Sequence, residues 1–183
     1  MLWLWITLGV AGFLLLVAIF IYNGLVGKKL KVDNNFSQIK IQCKKRFDLV
    51  PNLVESVKGY AKHEKETLEK VVSARNMGAA ANTPHSLAAA NNRLTQTLGH
   101  LFALGESYPA LQASTNFKQL QDELSEIEKA IAISRGFYND TVMMYNRAVK
   151  IFPNNIFAGL FRFKAAEFFD TSENEQQNVK VSI

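Results

Sequence analysis

The sequence predicts an all-α protein, in which a single N-terminal transmembrane helix is followed by an antiparallel bundle of long helices. Three observations predict this fold class: residues 2–22 are an apolar run, residues 117–152 repeat large side chains every seven positions, and no segment alternates polar and apolar residues as a half-buried strand would. A chain of 183 residues has room for one such bundle. We therefore predict three parts: a transmembrane anchor at 1–27, a helical-bundle domain at 28–170 and a polar, disordered tail at 171–183.

The apolar run is long enough to cross a bilayer. Its 21 residues would extend about 31 Å as a helix, which matches the hydrocarbon thickness of a membrane. The alternative is a cleaved signal peptide, which would need a basic start and small residues at a cleavage site. The run has no lysine or arginine before it and ends in IYNGLV, so an uncleaved anchor is the prediction.

The charges that follow the run predict its orientation and a lipid-binding surface. Lys28, Lys29 and Lys31 come directly after it, and residues 28–62 hold nine Lys and Arg against three Asp and Glu. Because cations are retained on the cytoplasmic side, we predict a short N-terminus outside and the C-terminal domain in the cytoplasm. The three lysines are the predicted contacts to anionic lipid, although a solvated helix face explains the same charges. No nucleic-acid partner is predicted, because no recognition motif accompanies the charge.

Apolar spacing predicts further helices along the soluble part. The first is expected to have a kink near Pro51, because proline removes a backbone donor, and the sequence leaves open whether it is continuous with the anchor. A stretch of small residues at 78–84 predicts a loop, and Ser86 is the predicted cap of the helix after it. The expected helices are residues 28 to about 62, 64–77, 86 to about 105, 117–152 and 156–169.

The only cysteine of the chain, Cys43, is predicted to be buried. It lies at helical spacings from Phe36, Ile39 and Phe47, and this pattern favours a structural thiol over a nucleophile. A single cysteine also excludes a disulfide within the chain, which agrees with a reducing compartment.

The fourth soluble helix carries the seven-residue repeat, which consists of Phe117, Leu124, Ile131, Tyr138, Tyr145 and Phe152. A second set of positions interleaves with it at spacings of three and four, so the helix has the a/d seam of a coiled coil. Tyr138 and Tyr145 are therefore predicted first as packing residues, although each belongs to a Tyr-Asn pair. Asn139 and Asn146 fall at the edge of the seam, where they could bond either a facing helix or a neighbouring chain.

No arrangement of residues in the sequence indicates catalysis. The three histidines share no metal-ligand spacing, and the metalloprotease pattern that starts at His63-Glu64 fails because Thr67 stands where its second histidine should be. Neither a phosphate-binding glycine motif nor a nucleophile elbow occurs. The acidic residues Glu123, Glu126 and Glu128 flank the seam and are predicted to form a solvated face. We predict no enzymatic activity, no cofactor and no metal site.

Several short stretches match a known family in order along nearly the whole chain. They are YNGLV at 22–26, KRFDLVPNLV at 45–54, His63-Glu64, Ala74-Arg75, ESYP at 106–109, LQDEL at 120–124, the pairs Tyr138-Asn139 and Tyr145-Asn146, and Phe152-Pro153. With these motifs the chain resembles the LemA family of small membrane-anchored bacterial proteins. The resemblance implies a single membrane helix followed by long antiparallel helices, placed in the bacterial cytoplasmic (inner) membrane. Family members are usually treated as non-enzymatic, and some relatives are linked to membrane shaping or to membrane-protein quality control.

Three polar residues of the KRFDLVPNLV stretch are candidates for a structural or a binding role. Asp48 can pair with a neighbouring basic residue, and Asn52 can bond carbonyls that Pro51 leaves free. Together with Arg46 they support the expected kink, and partner binding is the alternative.

Two functional hypotheses remain. The first is a membrane-anchored scaffold that self-assembles into a homo-oligomer and organises the membrane or membrane proteins, with contacts from Tyr138, Asn139, Tyr145, Asn146, Arg46, Asp48 and Asn52. The second is a monomeric or dimeric adaptor to a membrane protease or transporter in envelope quality control. The predicted partners are thus the membrane, further copies of the chain, another membrane protein and anionic lipid.

Overall fold

A computed structural model describes residues 1–61 and 63–169, and the predicted tail at 171–183 lies outside the described residues. Six helices occur in this part of the chain: α1 (Leu2–Lys58), α2 (Lys65–Ala80), α3 (Pro84–Glu106), α4 (Pro109–Gln112), α5 (Thr115–Lys150) and α6 (Asn154–Leu160). No strand occurs within the described ranges. The all-α fold class is confirmed.

Helix α1 joins the apolar run and the first predicted soluble helix into one element of 57 residues. By its length and composition it can cross a membrane, and its most apolar stretch has no buried residue. The helix continues through Pro51 and ends at Lys58, four residues before the expected position. A bilayer is the environment that suits so many uncovered apolar side chains.

The chain forms two compact units. The anchor unit consists of Met1–Phe36 and Phe137–Glu167, and the bundle unit consists of Ser37–Gly136 and Phe168–Ile183, of which residues 168 and 169 are described at the C-terminal end. The predicted segment boundaries after residues 27 and 170 stay predictions.

The bundle unit has an apolar core to which five helices contribute, including α4 through the fully buried Leu111. Its buried side chains include Ile39, Cys43, Val50, Leu53, Val57, Leu68, Val71, Leu94, Leu98, Leu101, Leu124 and Ile131. Cys43 is fully buried as predicted, and this burial raises the pKa of its thiol to about 12. The thiol therefore stays protonated, which makes it a poor nucleophile.

The proline inside α1 leaves the carbonyl of Phe47 without its usual donor four residues on. Helix α2 supplies a replacement, because Nε of Arg75 donates to this carbonyl over 3.4 Å. The predicted bond from Asn52 to the freed carbonyls is wrong for Phe47. Asn52 is exposed, and its own carbonyl accepts a hydrogen bond from Oγ of Ser56.

The ring of Phe47 lies end-on against the backbone of Gly78 in α2. A β-carbon at Gly78 would stand 2.2 Å from Cζ of Phe47, so only glycine leaves room for the buried ring. The prediction of a loop over 78–84 is wrong for residues 78–80, which belong to α2, and for Pro84, which begins α3. Gly78 serves a close approach between helices rather than a turn.

The cap of α3 also differs from the prediction. The N-cap is Thr83, whose side chain accepts from the backbone of Ser86, while the Ser86 hydroxyl accepts from the backbone of Thr83. Ser86 is thus the third helical residue of a reciprocal capping box.

The last predicted helix, residues 156–169, is much shorter in the structure. Helix α6 ends at Leu160, and Arg162 then adopts a left-handed conformation with φ 58°. The amide of Phe163 donates to the carbonyl of Ala158, and the amide of Arg162 donates to that of Gly159. These two bonds form a Schellman motif, which stops the helix.

Replacing Gly78 by alanine should destabilise the bundle unit, because the new methyl group overlaps the Phe47 ring. We expect a loss of about 1–3 kcal/mol in the free energy of unfolding. The matched control is Gly99→Ala, since a β-carbon at Gly99 meets nothing within 4 Å. The control should be neutral or more stable by about 0.5–1 kcal/mol, because alanine favours a helix. Thermal unfolding followed by circular dichroism measures both, and equal midpoints would refute the close contact.

The contact between Arg75 and the Phe47 carbonyl can be tested by a double-mutant cycle. Arg75→Met should cost about 1–3 kcal/mol, because a part-buried carbonyl loses its donor. Pro51→Ala returns a backbone donor to the same carbonyl, so the Arg75→Met change should cost clearly less in that background. Chemical unfolding of the four proteins gives the coupling energy. A coupling of zero would show that Arg75 does not compensate for the proline.

Candidate functional site

The C-terminal part of the anchor unit packs on α1 where its apolar run ends. Ile21 and Leu25 of α1 form a buried cluster with Ala148 of α5 and Ala158 of α6. Around this cluster lie the partly buried side chains of Val17, Val149, Phe157 and Phe163. The ring of Tyr22 completes the contact, with ring centroids 5.0 Å from Phe161 and 5.6 Å from Phe163 in edge-on geometry.

Beyond α6 the chain turns back along α5 as an extended segment, here called the return segment (residues 163–167). The amide of Asn146 pairs with the backbone of Ala166 in both directions: Nδ2 donates to its carbonyl over 2.9 Å, and Oδ1 accepts from its amide over 2.7 Å. The phenol of Tyr145 donates to the carbonyl of Lys164 over 2.9 Å, and that of Tyr138 donates to the carbonyl of Glu167 over 2.7 Å. Tyr138, Tyr145 and Asn146 therefore hold the return segment by satisfying its backbone groups.

Tyr138 and the nearby Thr141 also contact α1. The rings of Phe36 and Tyr138 lie 5.7 Å apart, and Nδ2 of Asn35 donates to Oγ1 of Thr141 over 2.9 Å. Burial raises the pKa of Tyr138 to about 12, with smaller contributions from Glu167 and Asp33. Burial, followed by Asp33, also raises the pKa of Tyr145. Both phenols thus remain neutral donors at physiological pH.

The predicted packing role of the two tyrosines agrees with their positions, since both rings are buried. Phe152 continues their spacing but is exposed beyond the end of α5. The predicted role of Tyr138, Tyr145 and Asn146 between copies of the chain stays a prediction, and it would require their internal hydrogen bonds to break. Asn139 is half-buried in the same unit, and its role between copies also stays a prediction.

Arg46 is the centre of a buried polar cluster in the bundle unit. Its side chain is 4% exposed, and Nη1 lies 2.6 Å from Oδ1 of Asn91 and 2.9 Å from Oγ1 of Thr95. A carboxylate oxygen of Glu128 is 2.5 Å from the same nitrogen. Burial lowers the pKa of Arg46, and the carboxylate of Glu128 opposes this. The cluster joins α1, α3 and α5. The side chain of Glu128 is still 40% exposed, so it is partly solvated as predicted, but nothing in the sequence indicated its pairing with Arg46.

The remaining predicted site residues lie at the surface. Asp48 pairs with Lys44 over 2.5 Å, one helical turn away, and both are exposed. Lys29 pairs with Asp33 over 2.6 Å, while Lys28 and Lys31 are exposed. Exposed pairs of this kind contribute little to stability. The lipid contacts of the three lysines and the partner contacts of Asp48 and Asn52 stay predictions.

The described residues contain no group of three His, Cys, Asp or Glu side chains that could hold a metal ion. All three histidines are exposed. The bundle unit has a cleft of about 980 Å³ between the end of α1 and α2, lined by Val54, Leu68, Val72 and Met77 with charged residues at its edge. Its mainly apolar lining suits a hydrophobic partner better than a chemical step.

Comparison with known proteins identifies the family. The family model described as LemA family matches residues 35–183. The chain belongs to the LemA family. The family assignment made from the motifs is thereby confirmed, and the chain is a helical, membrane-associated protein.

Individual relatives agree with this assignment. Protein LemA of Metamycoplasma hominis is 27% identical over 180 residues, which cover 93% of this chain and 81% of the relative. Magnetosome protein MamQ 2 of Paramagnetospirillum magneticum is 34% identical over 84 residues, or 46% of this chain. Magnetosome protein MamQ of Magnetospirillum gryphiswaldense is 31% identical over 84 residues. The matched region spans 31% of the length of each of these two magnetosome relatives.

Two functional contacts do not follow from the motifs. Arg75 belongs to one of the motifs, but it donates to a carbonyl 28 positions away. The apolar pattern predicts a helix where the return segment lies, so it gives no indication of the partners of Asn146. Pro51, four residues after Phe47, was the available signal for a free carbonyl that needs another donor. The apolar spacing of 156–169 concealed the contact of Asn146 with Ala166.

Asn146→Ala should release the return segment, because Ala166 then loses both a donor and an acceptor. We expect the amide of Ala166 to exchange with deuterium about 5- to 150-fold faster, which corresponds to about 1–3 kcal/mol. Mass spectrometry of peptides covering 161–169 measures this rate. Asn155→Ala changes an exposed asparagine on α6 and should leave the rate unaltered. Unchanged exchange in Asn146→Ala would show that the amide does not hold the segment.

Proposed function

We propose that this LemA-family protein is a non-enzymatic scaffold, anchored by one membrane helix, that self-assembles and organises the membrane or membrane proteins. The observation that carries the proposal is an uncovered apolar surface on α5. Phe137 is 64% exposed and Met144 57%, and these two residues lie seven positions apart. Met143 beside them is also exposed. We call these three residues the α5 stripe.

The spacing of the α5 stripe favours a second copy of the chain as the partner. Side chains seven positions apart return to the same face of a helix, which is the repeat that paired helices use. The stripe is a different face from Tyr138 and Tyr145, so contact through it leaves the internal hydrogen bonds intact. Methionine side chains adapt to varied surfaces, which suits an interface. Single exposed apolar residues need no explanation, but a cluster of three on one helix does.

The relatives support a role outside catalysis. Two of them are named for a cellular structure, the magnetosome, and none of the relatives described above is named for a reaction. Without a set of reactive side chains in the described residues, organisation by contact is the function that the geometry supports best.

The cleft between α1 and α2 favours a second candidate. An adaptor would bind an apolar segment of another membrane protein there, with Val72 and Met77 exposed at the opening. In that case the protein would be a monomer or dimer that copurifies with a different membrane protein, such as a protease or transporter.

The mass of the full-length protein in native lipid discs tests the scaffold. We expect a discrete particle larger than a dimer for the natural chain, and a smaller one for the double variant Phe137→Gln, Met144→Gln. Both substitutions are at exposed positions of α5, so the helical circular dichroism signal should be retained.

The control is Ile41→Gln, which makes the same kind of change at an exposed position of α1 outside the stripe. It should leave the particle mass unaltered. A monomer for the natural chain would exclude the scaffold and favour the adaptor. A large particle that the double variant does not reduce would place the contacts between copies elsewhere on the chain.

A further inference from the structure

The turn between α5 and α6 leaves large apolar side chains uncovered. We call residues 151–161 the corner. Phe152 is 78% exposed, Leu160 71% and Ile156 59%, and Ile151 and Phe161 are exposed as well. Helix α6, which lies within the corner, buries Ala158 in the cluster with Ile21 and Leu25 of α1. One side of the corner therefore packs on α1, while Phe152, Ile156 and Leu160 are largely uncovered by the described residues.

The position of the corner follows from its contacts in the anchor unit. Ala158 of the corner shares a buried cluster with Ile21 and Leu25 of α1, and Val17 packs against the same cluster. Phe161 contacts the ring of Tyr22. Val17, Ile21 and Tyr22 belong to the apolar run. Val17 lies five residues, or about 7.5 Å, inside the end of the run. If the run crosses a bilayer, the corner lies at the depth where head groups meet acyl chains. Amphipathic elements bind membranes at about 5–10 Å depth, which agrees with this distance.

The charges around the corner suit the same location. Residues 147–166 contain four cations, Arg147, Lys150, Arg162 and Lys164, and no Asp or Glu. All four side chains are exposed. Each cation near an anionic membrane surface contributes about 1 kcal/mol of attraction. Apolar side chains between flanking cations are the pattern of a segment that lies in a membrane interface.

We propose that the corner is a second membrane-binding element, which inserts Phe152, Ile156 and Leu160 into the bilayer beside α1. Its flanking cations contact anionic head groups of that leaflet. The insertion does not require self-assembly, because all contacts that position the corner lie within one chain. A second copy of the chain could also cover the corner. However, the corner packs on the membrane-length helix of its own chain, which places it in lipid without a second copy.

Tryptophan fluorescence in lipid discs tests this insertion in the full-length chain. Trp3→Phe and Trp5→Phe remove the natural signals, and Phe152→Trp then reports on the corner. Leu160→Trp is a second reporter, so that one unsuitable substitution does not decide the result. The matched control is Tyr60→Trp, an exposed aromatic position after the end of α1. Discs contain phosphatidylcholine and phosphatidylglycerol, with either natural or brominated acyl chains, at a ratio that places at most one chain in most discs.

Insertion predicts blue-shifted emission from both corner reporters and several-fold quenching by brominated lipid, strongest for bromine near the head group. The Tyr60→Trp control should show neither effect. Emission like that of water-exposed tryptophan, without quenching, would overturn the proposal. Blue-shifted emission without quenching would also overturn it, because protein rather than lipid would then cover the corner. Since the discs hold single chains, a failure of self-assembly leaves this measurement unaffected.

Discussion

Helix α1 has to satisfy two different environments, and the rest of the chain is arranged around this constraint. Its first part exposes almost every side chain and is long and apolar enough to cross a membrane. Its later part buries Ile39, Cys43 and Leu53 in a protein core. The backbone hydrogen bonds of a helix form within the helix itself, in lipid and in a protein core alike. One uninterrupted helix can therefore occupy both environments. The side chains alone decide which environment each part occupies.

The less regular parts depend on side chains that replace missing backbone partners. Arg75 donates to the Phe47 carbonyl that the proline of α1 leaves free, and Asn146 imitates a backbone partner for Ala166. The phenols of Tyr145 and Tyr138 donate to the backbone carbonyls of Lys164 and Glu167. These contacts explain why polar residues stand at regular positions inside an apolar pattern. Buried polar groups without such partners would be costly.

The location of the uncovered apolar surfaces connects the fold with function. The α5 stripe lies away from the internal hydrogen bonds and suits contact between copies, whereas the corner packs on the apolar run and suits lipid. The buried Arg46 cluster joins three helices and has a structural role, because its side chain is almost inaccessible. The two proposals thus assign one face of this chain to the membrane and another to assembly.

The sequence by itself determined the helical class, the membrane-length apolar run, the buried cysteine and the family, because these depend on local periodicity and composition. The packing of Tyr138 and Tyr145 also followed from spacing alone. Only the tertiary structure decided that the ring of Phe47 packs against Gly78, that Arg75 donates to the carbonyl of Phe47 and that residues 161–169 are not helical. These features depend on partners that are distant in sequence. The space that Phe47 fills between two helices leaves no periodic pattern in the sequence. The apolar pattern of 156–169 predicts a helix, whereas the hydrogen bonds of Asn146 hold the return segment in a non-helical conformation. The sequence is informative where a residue responds to its neighbours in the chain, and the structure is needed where it responds to neighbours in space.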